Sequence, residues 1–464
     1  MTARISAVDS GFLDAETGDT PSVTIGACMI VDGQAPELSA IRELIRSRRT
    51  SVSRLFQRLE RSSVAEVNRA KWVDDEPDLE YHVAAGEIGD DPRGLNGAVA
   101  KLMERQLDRD RPLWEATVFA ALNEPDKWAI VWRLHHTIAD GQGASMLIGN
   151  LCELSAEGGI TLTDFMINEA RVQLDPLQSP QDPAGPMADG MDEVTVGAAL
   201  KTALEGLNAS AAKIRQAAAL VPNTVRSLLD FAPHTPSELT GVPTHGRSWA
   251  ALEGSLAAAK TVGHALDSTV NDVILAAVAL GFRAVLQSRG TDTTGMFVRF
   301  LMPVSLRDPR DATSNNQVTI LPVVLPLDAD DPRALIEAVH ASTSTGLHSL
   351  SPQISDGLVG LATRFVPNLL QEAVAGQAGH ILGYFGDTCV TNVRGPQMPI
   401  YFMGQQISAQ YPVLPIAAPL RLGVAISSLT GRLQITVTGD DQSWDEVELL
   451  AATIAESLEQ MAAG

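Results

Sequence analysis

Trp128-Ala-Ile-Val-Trp-Arg-Leu-His135-His136-Thr-Ile-Ala-Asp140-Gly141-Gln-Gly143 reads as an apolar strand that runs into two histidines, a short polar turn and then a helix over 144–154. The apolar run has the length and composition of a buried strand. Neighbouring side chains of a strand point to opposite faces. His135 and His136 are therefore predicted to part, one toward packing and hydrogen bonds, the other into a cleft. That geometry argues against two metal ligands from the pair, and the sequence has no HExxH and no His/Cys cluster to complete a zinc shell. Two readings stand on these residues alone. In one, the histidines are satisfied core groups before an ordinary Asp-Gly turn. In the other, one imidazole is a general base, a role its intrinsic pKa suits. Asp140 would then brace the turn, and Gly141 would let the backbone bend sharply before the helix.

Working outward, a buried strand is expected over 23–31, closed by Asp32-Gly33. Helical spacing covers 38–47 and 98–107, short strands fall at 56–59 and 71–75, and a further strand spans 116–121. Strands alternating with helices indicate an α/β, or α+β layered, class. Prolines 176, 180, 183 and 186 mark 174–194 as a breaker-rich linker, and 197–229 is an Ala-rich helical stretch. Past it come strands at 247–253, 297–303 and 318–325, and helices at 255–263 and 335–347. Asn271 and Asp272 are expected to cap an apolar helix. A strand enters a turn over 388–396, a hairpin folds about Thr430-Gly431, and an amphipathic helix closes the chain at 445–461. The division expected is 1–165, a linker region at 166–245, and 246–464.

The 464 residues exceed one ordinary core, which favours two domains. A formal charge of −22 excludes a general nucleic-acid binder and weakens electrostatic attraction to anionic lipid, though not apolar contact with it. Cys28, Cys152 and Cys389 form no CxxC pair and are expected to be buried free thiols. The N-terminus carries no signal-peptide core, and no uninterrupted apolar run reaches the ~20 residues a membrane span needs. A cytoplasmic or peripheral protein is expected. GxSxG, GxGxxG and P-loop patterns are missing.

His135-His136-Thr-Ile-Ala-Asp140-Gly141 matches the HHxxxDG motif of the CoA-dependent acyltransferase superfamily, and the surrounding blocks narrow the choice. Asp9 and Phe12, Lys71-Trp-Val-Asp-Asp75, Tyr81-His82-Val83, Arg109-Asp-Arg-Pro-Leu-Trp-Glu115, Thr269-Val-Asn271-Asp272, Pro303-Val-Ser-Leu-Arg307, Asn316-Gln317, Thr391-Asn392-Val-Arg394-Gly395-Pro396 and Tyr411-Pro412 follow in order. The chain resembles the bacterial wax ester synthase/diacylglycerol acyltransferase family, especially actinobacterial triacylglycerol synthases. Arg394 stands where many relatives carry Pro, and Thr240-Gly241 where Asn-Gly is common.

The resemblance implies two chloramphenicol-acetyltransferase-like domains with mixed sheets and an active-site tunnel between them. It implies acyl transfer from long-chain acyl-CoA, a co-substrate with no further cofactor and no metal, to diacylglycerol, with a fatty alcohol or another lipid alcohol as the alternative acceptor. His136 would be the general base, supported by His135, Asp140 and Gly141. Asn271, Asp272, Gln317, Thr391 and Asn392 are candidates for substrate or oxyanion contact. Arg247, Arg299, Arg307 and Arg394 are candidates for CoA phosphates or for an ion pair with Asp140. Peripheral contact with membrane or lipid droplets is expected, with 354–374 the first candidate surface against a reading as core packing, and 197–229 the second against a reading as an interdomain strap. A relative that binds lipid without catalysis is the reading from another class.

Overall fold

The strand quoted above is an inner strand of the first of two six-stranded sheets. The computed structural model describes residues 22–60, 70–120, 126–165, 239–305, 318–329, 331–349, 386–417 and 420–463, with Ile5, Phe12, Leu13, Glu16, Leu122 and Glu124 besides. The expected linker at 174–194, the helical stretches at 197–229 and 354–374, and the candidates Arg307 and Gln317 lie outside the described residues.

In chain order the first half gives β1 (Thr24–Asp32), α1 (Leu38–Ser47), β2 (Gln57–Glu60), β3 (Lys71–Asp74), α2 (Leu79–His82), β4 (Val83–Ala85), α3 (Leu95–Glu104), β5 (Trp114–Phe119), β6 (Lys127–His135) and α4 (Gly141–Gly149). The second gives β7 (Arg247–Ser255), α5 (Leu256–Ala265), α6 (Val270–Ser288), β8 (Phe297–Ser305), β9 (Val318–Pro326), α7 (Pro332–Ser349) and β10 (Thr388–Val393). It closes with β11 (Tyr401–Phe402), β12 (Gln405–Val413), β13 (Leu422–Leu429), β14 (Arg432–Asp440) and α8 (Trp444–Ala463).

The first sheet runs β11-β12-β1-β6-β5-β4 and the second β7-β14-β13-β10-β8-β9, so each mixes parallel and antiparallel neighbours. Strand alternation splits β1 and β6 between two cores. Ile25, Ala27, Met29, Val31, Ile130, Trp132 and Leu134 pack on one side, where α1 delivers Ile41 and Ile45. Burying each of those two isoleucines stabilises the layer by about 2 kcal/mol. Cys28, Ile30, Ala129 and Val131 pack on the other side, against Trp249 of β7.

The sequence reading did not foresee β11 and β12. They come from the second half, yet they complete the first sheet, with Cys28 opposite Tyr411 and Ala27 opposite Pro412. This pairing crosses the division placed at 246. From the same strand, the Gln410 and Pro412 carbonyls accept the hydroxyls of Ser427 and Thr436, at 3.0 Å each. β12 thereby ties the two sheets together.

The second core buries α6 against α8 and the sheet. Among the described residues α6 is the one helix long and apolar enough to cross a membrane, and most of it is buried in this core. Its cap differs from expectation. Thr269 is the N-cap and forms a capping box with Asp272, while Asn271 lies within the first turn. Thr430 and Gly431 both adopt positive φ, +47° and +82°, the left-handed pair that a two-residue hairpin turn requires between β13 and β14.

Candidate active site

β6 ends at His135, and His136 opens the turn that follows. The two rings part because the strand stops between them, rather than by alternation along a continued strand. His135 is fully buried, and His136 is partly exposed. The turn is fixed from several sides. The His135 N–H donates to the Leu113 carbonyl at 2.9 Å, and the His136 N–H to the Val23 carbonyl at 3.2 Å. The Ile138 N–H donates to the His135 carbonyl at 2.8 Å.

Asp140 is buried and caps α4, its Oδ1 accepting the Gly143 N–H at 2.7 Å. The carboxylate favours the positive end of that helix dipole. Gly141 is the first residue of the helix. It is not among the residues at positive φ, and a Cβ there would meet nothing within 4 Å. The sharp bend expected of it is absent. It leaves open space beside the histidine turn instead.

Phe12 lies flat against the His136 ring, with centroids 4.1 Å apart and planes 14° from parallel. The His135 ring is held from both ends. Its Nδ1 accepts the Thr137 N–H at 3.2 Å and faces the Thr137 hydroxyl at 2.9 Å. The Thr137 N–H, an obligate donor, makes Nδ1 the acceptor and places the ring proton on Nε2. That nitrogen lies 3.3 Å from Glu16 Oε2, in a contact bent from the N–H axis and therefore chiefly electrostatic. Glu16 is fully buried, and Arg109 approaches the same oxygen at 3.3 Å. Burial alone would raise the Glu16 pKa. His135, the Val23 N–H and Arg109 together hold it below the usual carboxylate value.

Neither Glu16 nor Thr137 was singled out from the sequence. One faint signal existed for Glu16: it stands four residues after Phe12, a spacing that would put both on one face of a helical turn.

Several of the quoted blocks build a brace beneath this point. Arg133, two residues before His135 and fully buried, reaches Glu115 at 3.1 Å and the Arg105 carbonyl. Desolvation lowers its pKa to about 10. Arg105 also pairs with Glu115, and the Tyr81 hydroxyl donates to Glu115 at 3.2 Å. Trp114 stacks on His82 at 4.6 Å, and its indole N–H donates to the Leu55 carbonyl at 2.8 Å.

The second-half candidates form another cluster. The Asn392 amide donates to Asn271 Oδ1 at 3.3 Å, and Asn271 Nδ2 lies 3.7 Å from Met302 Sδ. Both asparagines are partly exposed, as is Thr391. Asp272 instead turns into the fold. It accepts from the Thr269 N–H at 3.0 Å and the Thr343 hydroxyl at 2.9 Å, and meets His340 Nδ1 at 2.8 Å.

Among the arginine candidates, Arg247 is buried and donates to the carbonyls of Thr244, His245 and Gly246 at 2.7–3.2 Å. Burial lowers its pKa to about 10. The Arg299 backbone N–H donates to Asp387, and its side chain is buried. Arg394 is exposed. Among the described residues no three His, Cys, Asp or Glu side chains gather as a metal ion would require.

The fold is that of chloramphenicol-acetyltransferase-like two-domain proteins, as comparison with solved structures shows. A wax ester synthase/diacylglycerol acyltransferase from Marinobacter aquaeolei VT8 superposes with TM-score 0.65 at 19% identity over the whole of both chains. The first condensation domain of the CDA synthetase does so with TM-score 0.58 at 15% identity, over 99% of this chain and 96% of that one. Residues 5–274 match the family model of the wax ester synthase/diacylglycerol acyltransferase catalytic domain, and 314–462 that of the WS/DGAT C-terminal domain. The chain belongs to the wax ester synthase/diacylglycerol acyltransferase family. Among curated relatives, a probable diacylglycerol O-acyltransferase of Mycobacterium tuberculosis H37Rv is 29% identical over 99% of this chain and 96% of its own. Another, a putative diacylglycerol O-acyltransferase (Rv3371) of the same strain, is 27% identical over 97% of this chain and 88% of its own.

Proposed function

We propose that the chain transfers a long-chain acyl group from acyl-CoA to the free hydroxyl of diacylglycerol, with fatty alcohol as a second acceptor and no cofactor beyond the co-substrate. The observation that carries this reading is His136 at the end of β6. It stands turned out of the strand and partly exposed, beside a buried partner histidine and the open space over Gly141, in a chain matched by the catalytic-domain model of its family.

His136 takes the acceptor's hydroxyl proton as the oxygen forms a bond to the thioester carbonyl carbon. The carbonyl oxygen becomes a tetrahedral oxyanion. Its collapse restores the carbonyl, breaks the carbon–sulfur bond and releases CoA thiolate, which recovers the proton from His136. The paired amides of Asn271 and Asn392, with Thr391 beside them and Gln317, are the oxyanion donors in this scheme. His135 and Asp140 hold the turn. Arg307 and Arg394 serve the CoA phosphates in a tunnel between the two sheets, while the buried Arg247 serves its own turn and the buried Arg299 faces Asp387. Both substrates are lipids, so the protein works in peripheral contact with a membrane or droplet surface.

Labelled palmitoyl-CoA offered with dioleoylglycerol, hexadecanol or no acceptor tests the reading. Labelled triacylglycerol, and wax ester at a lower rate, is the expected result. Thioester consumption on neither alcohol, with lipid still bound, would replace this reading with that of a non-catalytic lipid binder.

A further inference from the structure

Phe12 and Glu16, ahead of β1 in the chain, each reach one of the two histidines. Phe12 covers the His136 ring at 4.1 Å, and Glu16 sets a fully buried carboxylate 3.3 Å from His135 Nε2. Glu16 is bound to the rest of the turn as well. Its Oε1 accepts the Val23 N–H at 3.0 Å, and the carbonyl of that same Val23 receives the His136 N–H at 3.2 Å. One carboxylate thus touches the ring of one histidine and the strand end from which the other hangs.

The carboxylate is itself held. Arg109 approaches Oε2 and donates to the carbonyls of Leu13, at 3.0 Å, and Glu16. Phe12, Glu16 and Arg109 therefore form a clamp closed over the catalytic turn. A buried carboxylate is costly unless its charge is met. Here it is met by an arginine, a backbone N–H and the protonated edge of an imidazole, an arrangement that selects one ring tautomer.

We infer that Glu16 is a positioning residue for acyl transfer: with Arg109 it fixes the Nε2–H tautomer of His135 and, through Val23, seats His136 beneath Phe12. This rests on the reading of His136 as the base.

Full-length wild type, Glu16→Gln, Glu16→Asp, His136→Ala and the Glu16→Gln/His136→Ala pair are compared with palmitoyl-CoA and dioleoylglycerol. Glu16→Gln keeps the shape and an acceptor for Val23 but loses the charge. Its kcat is expected to fall about 10–100-fold, the usual effect of removing an outer partner that orients a functional histidine. KM for palmitoyl-CoA should stay within about twofold, and Glu16→Asp should regain part of kcat. Added to His136→Ala, Glu16→Gln should cost nothing further, since both act on one step. A general structural role would instead repeat its loss in that background.

Wild-type kcat in Glu16→Gln, or full additivity in the double variant, overturns the inference. An inactive His136→Ala beside a fully active Glu16→Gln overturns this inference alone. A fully active His136→Ala overturns the base assignment and this inference with it. Should Glu16→Gln lose its thermal transition, Thr137→Val probes the same ring from its other edge. It should lower kcat at unchanged KM, and full kcat there would equally overturn the inference.

Discussion

Replacing Asp272 with alanine separates a structural role for the Asn-Asp block from a catalytic one. The carboxylate closes the capping box of α6 with Thr269, and losing such a cap costs about 1 kcal/mol. It accepts the buried Thr343 hydroxyl at 2.9 Å. That hydroxyl has the His340 carbonyl as a fallback at 3.3 Å, which keeps this loss near the lower end of the range, about 1 kcal/mol. His340 is 46% exposed, so its contact with Asp272 is screened and adds under about 1 kcal/mol. The expected destabilisation is therefore about 2–3 kcal/mol. For a folding unit of 150–250 residues this lowers the melting temperature by roughly 4–12 °C.

Differential scanning calorimetry at neutral pH measures it. Burial opposes ionisation of Asp272, but the His340, Thr269 and Thr343 contacts still hold its pKa below the ordinary 3.8. Its contribution is thus fully present above that value and fades as pH falls through the lower folded-state pKa, so the gap between wild type and variant should narrow below about pH 4. A melting temperature within 2 °C of wild type at pH 7 would refute this account of Asp272.

Three further outcomes follow from particular contacts. Gly26→Ala would place a Cβ 1.8 Å from the Trp132 carbonyl oxygen, a backbone atom that cannot yield, and should cost about 3 kcal/mol or more in chemical denaturation. Gly141→Ala meets no neighbour and should leave stability within about 0.5 kcal/mol, so any fall in its kcat or rise in KM reports a substrate in that open space. Asp387 is buried, and desolvation raises its pKa to about 7, against the lowering influence of Arg299. A raised folded pKa means stability is fullest below the unfolded value and is lost as pH climbs through about 7. That loss, up to roughly 4 kcal/mol at 1.36 kcal/mol per unit, should vanish from the pH profile of Asp387→Asn.

Much of the fold was legible because its signals are local. β6 and β1 are dense apolar runs, α1 shows its buried Ile41 and Ile45 at helical spacing, and Thr430-Gly431 announces its turn. β12 was not legible. Its Gln-Gln-Ile-Ser-Ala-Gln-Tyr-Pro-Val sequence is half polar and contains a proline, and its partner β1 lies far away in the chain. Only tertiary pairing makes it a strand.

At the site, the motif marked the histidine turn, which Asp140 closes as the cap of α4. What it hid was the support. Glu16 lies in a polar stretch without periodicity, and nothing local shows that Arg109 and His135 will surround it. At the cap of α6 the expectation holds for Asp272, which completes the capping box, and fails for Asn271, because Thr, Asn and Asp all suit that end of a helix and only geometry makes Thr269 the N-cap.

In the proposed transfer His136 accepts the acceptor's proton. The most direct measurement is single-turnover transfer from labelled palmitoyl-CoA to dioleoylglycerol by His136→Ala, at an enzyme concentration where substrate binding is saturated. The transfer rate is expected to fall by about 10²–10⁴-fold, the usual contribution of a positioned base, with palmitoyl-CoA still bound. Transfer at the wild-type rate would contradict it.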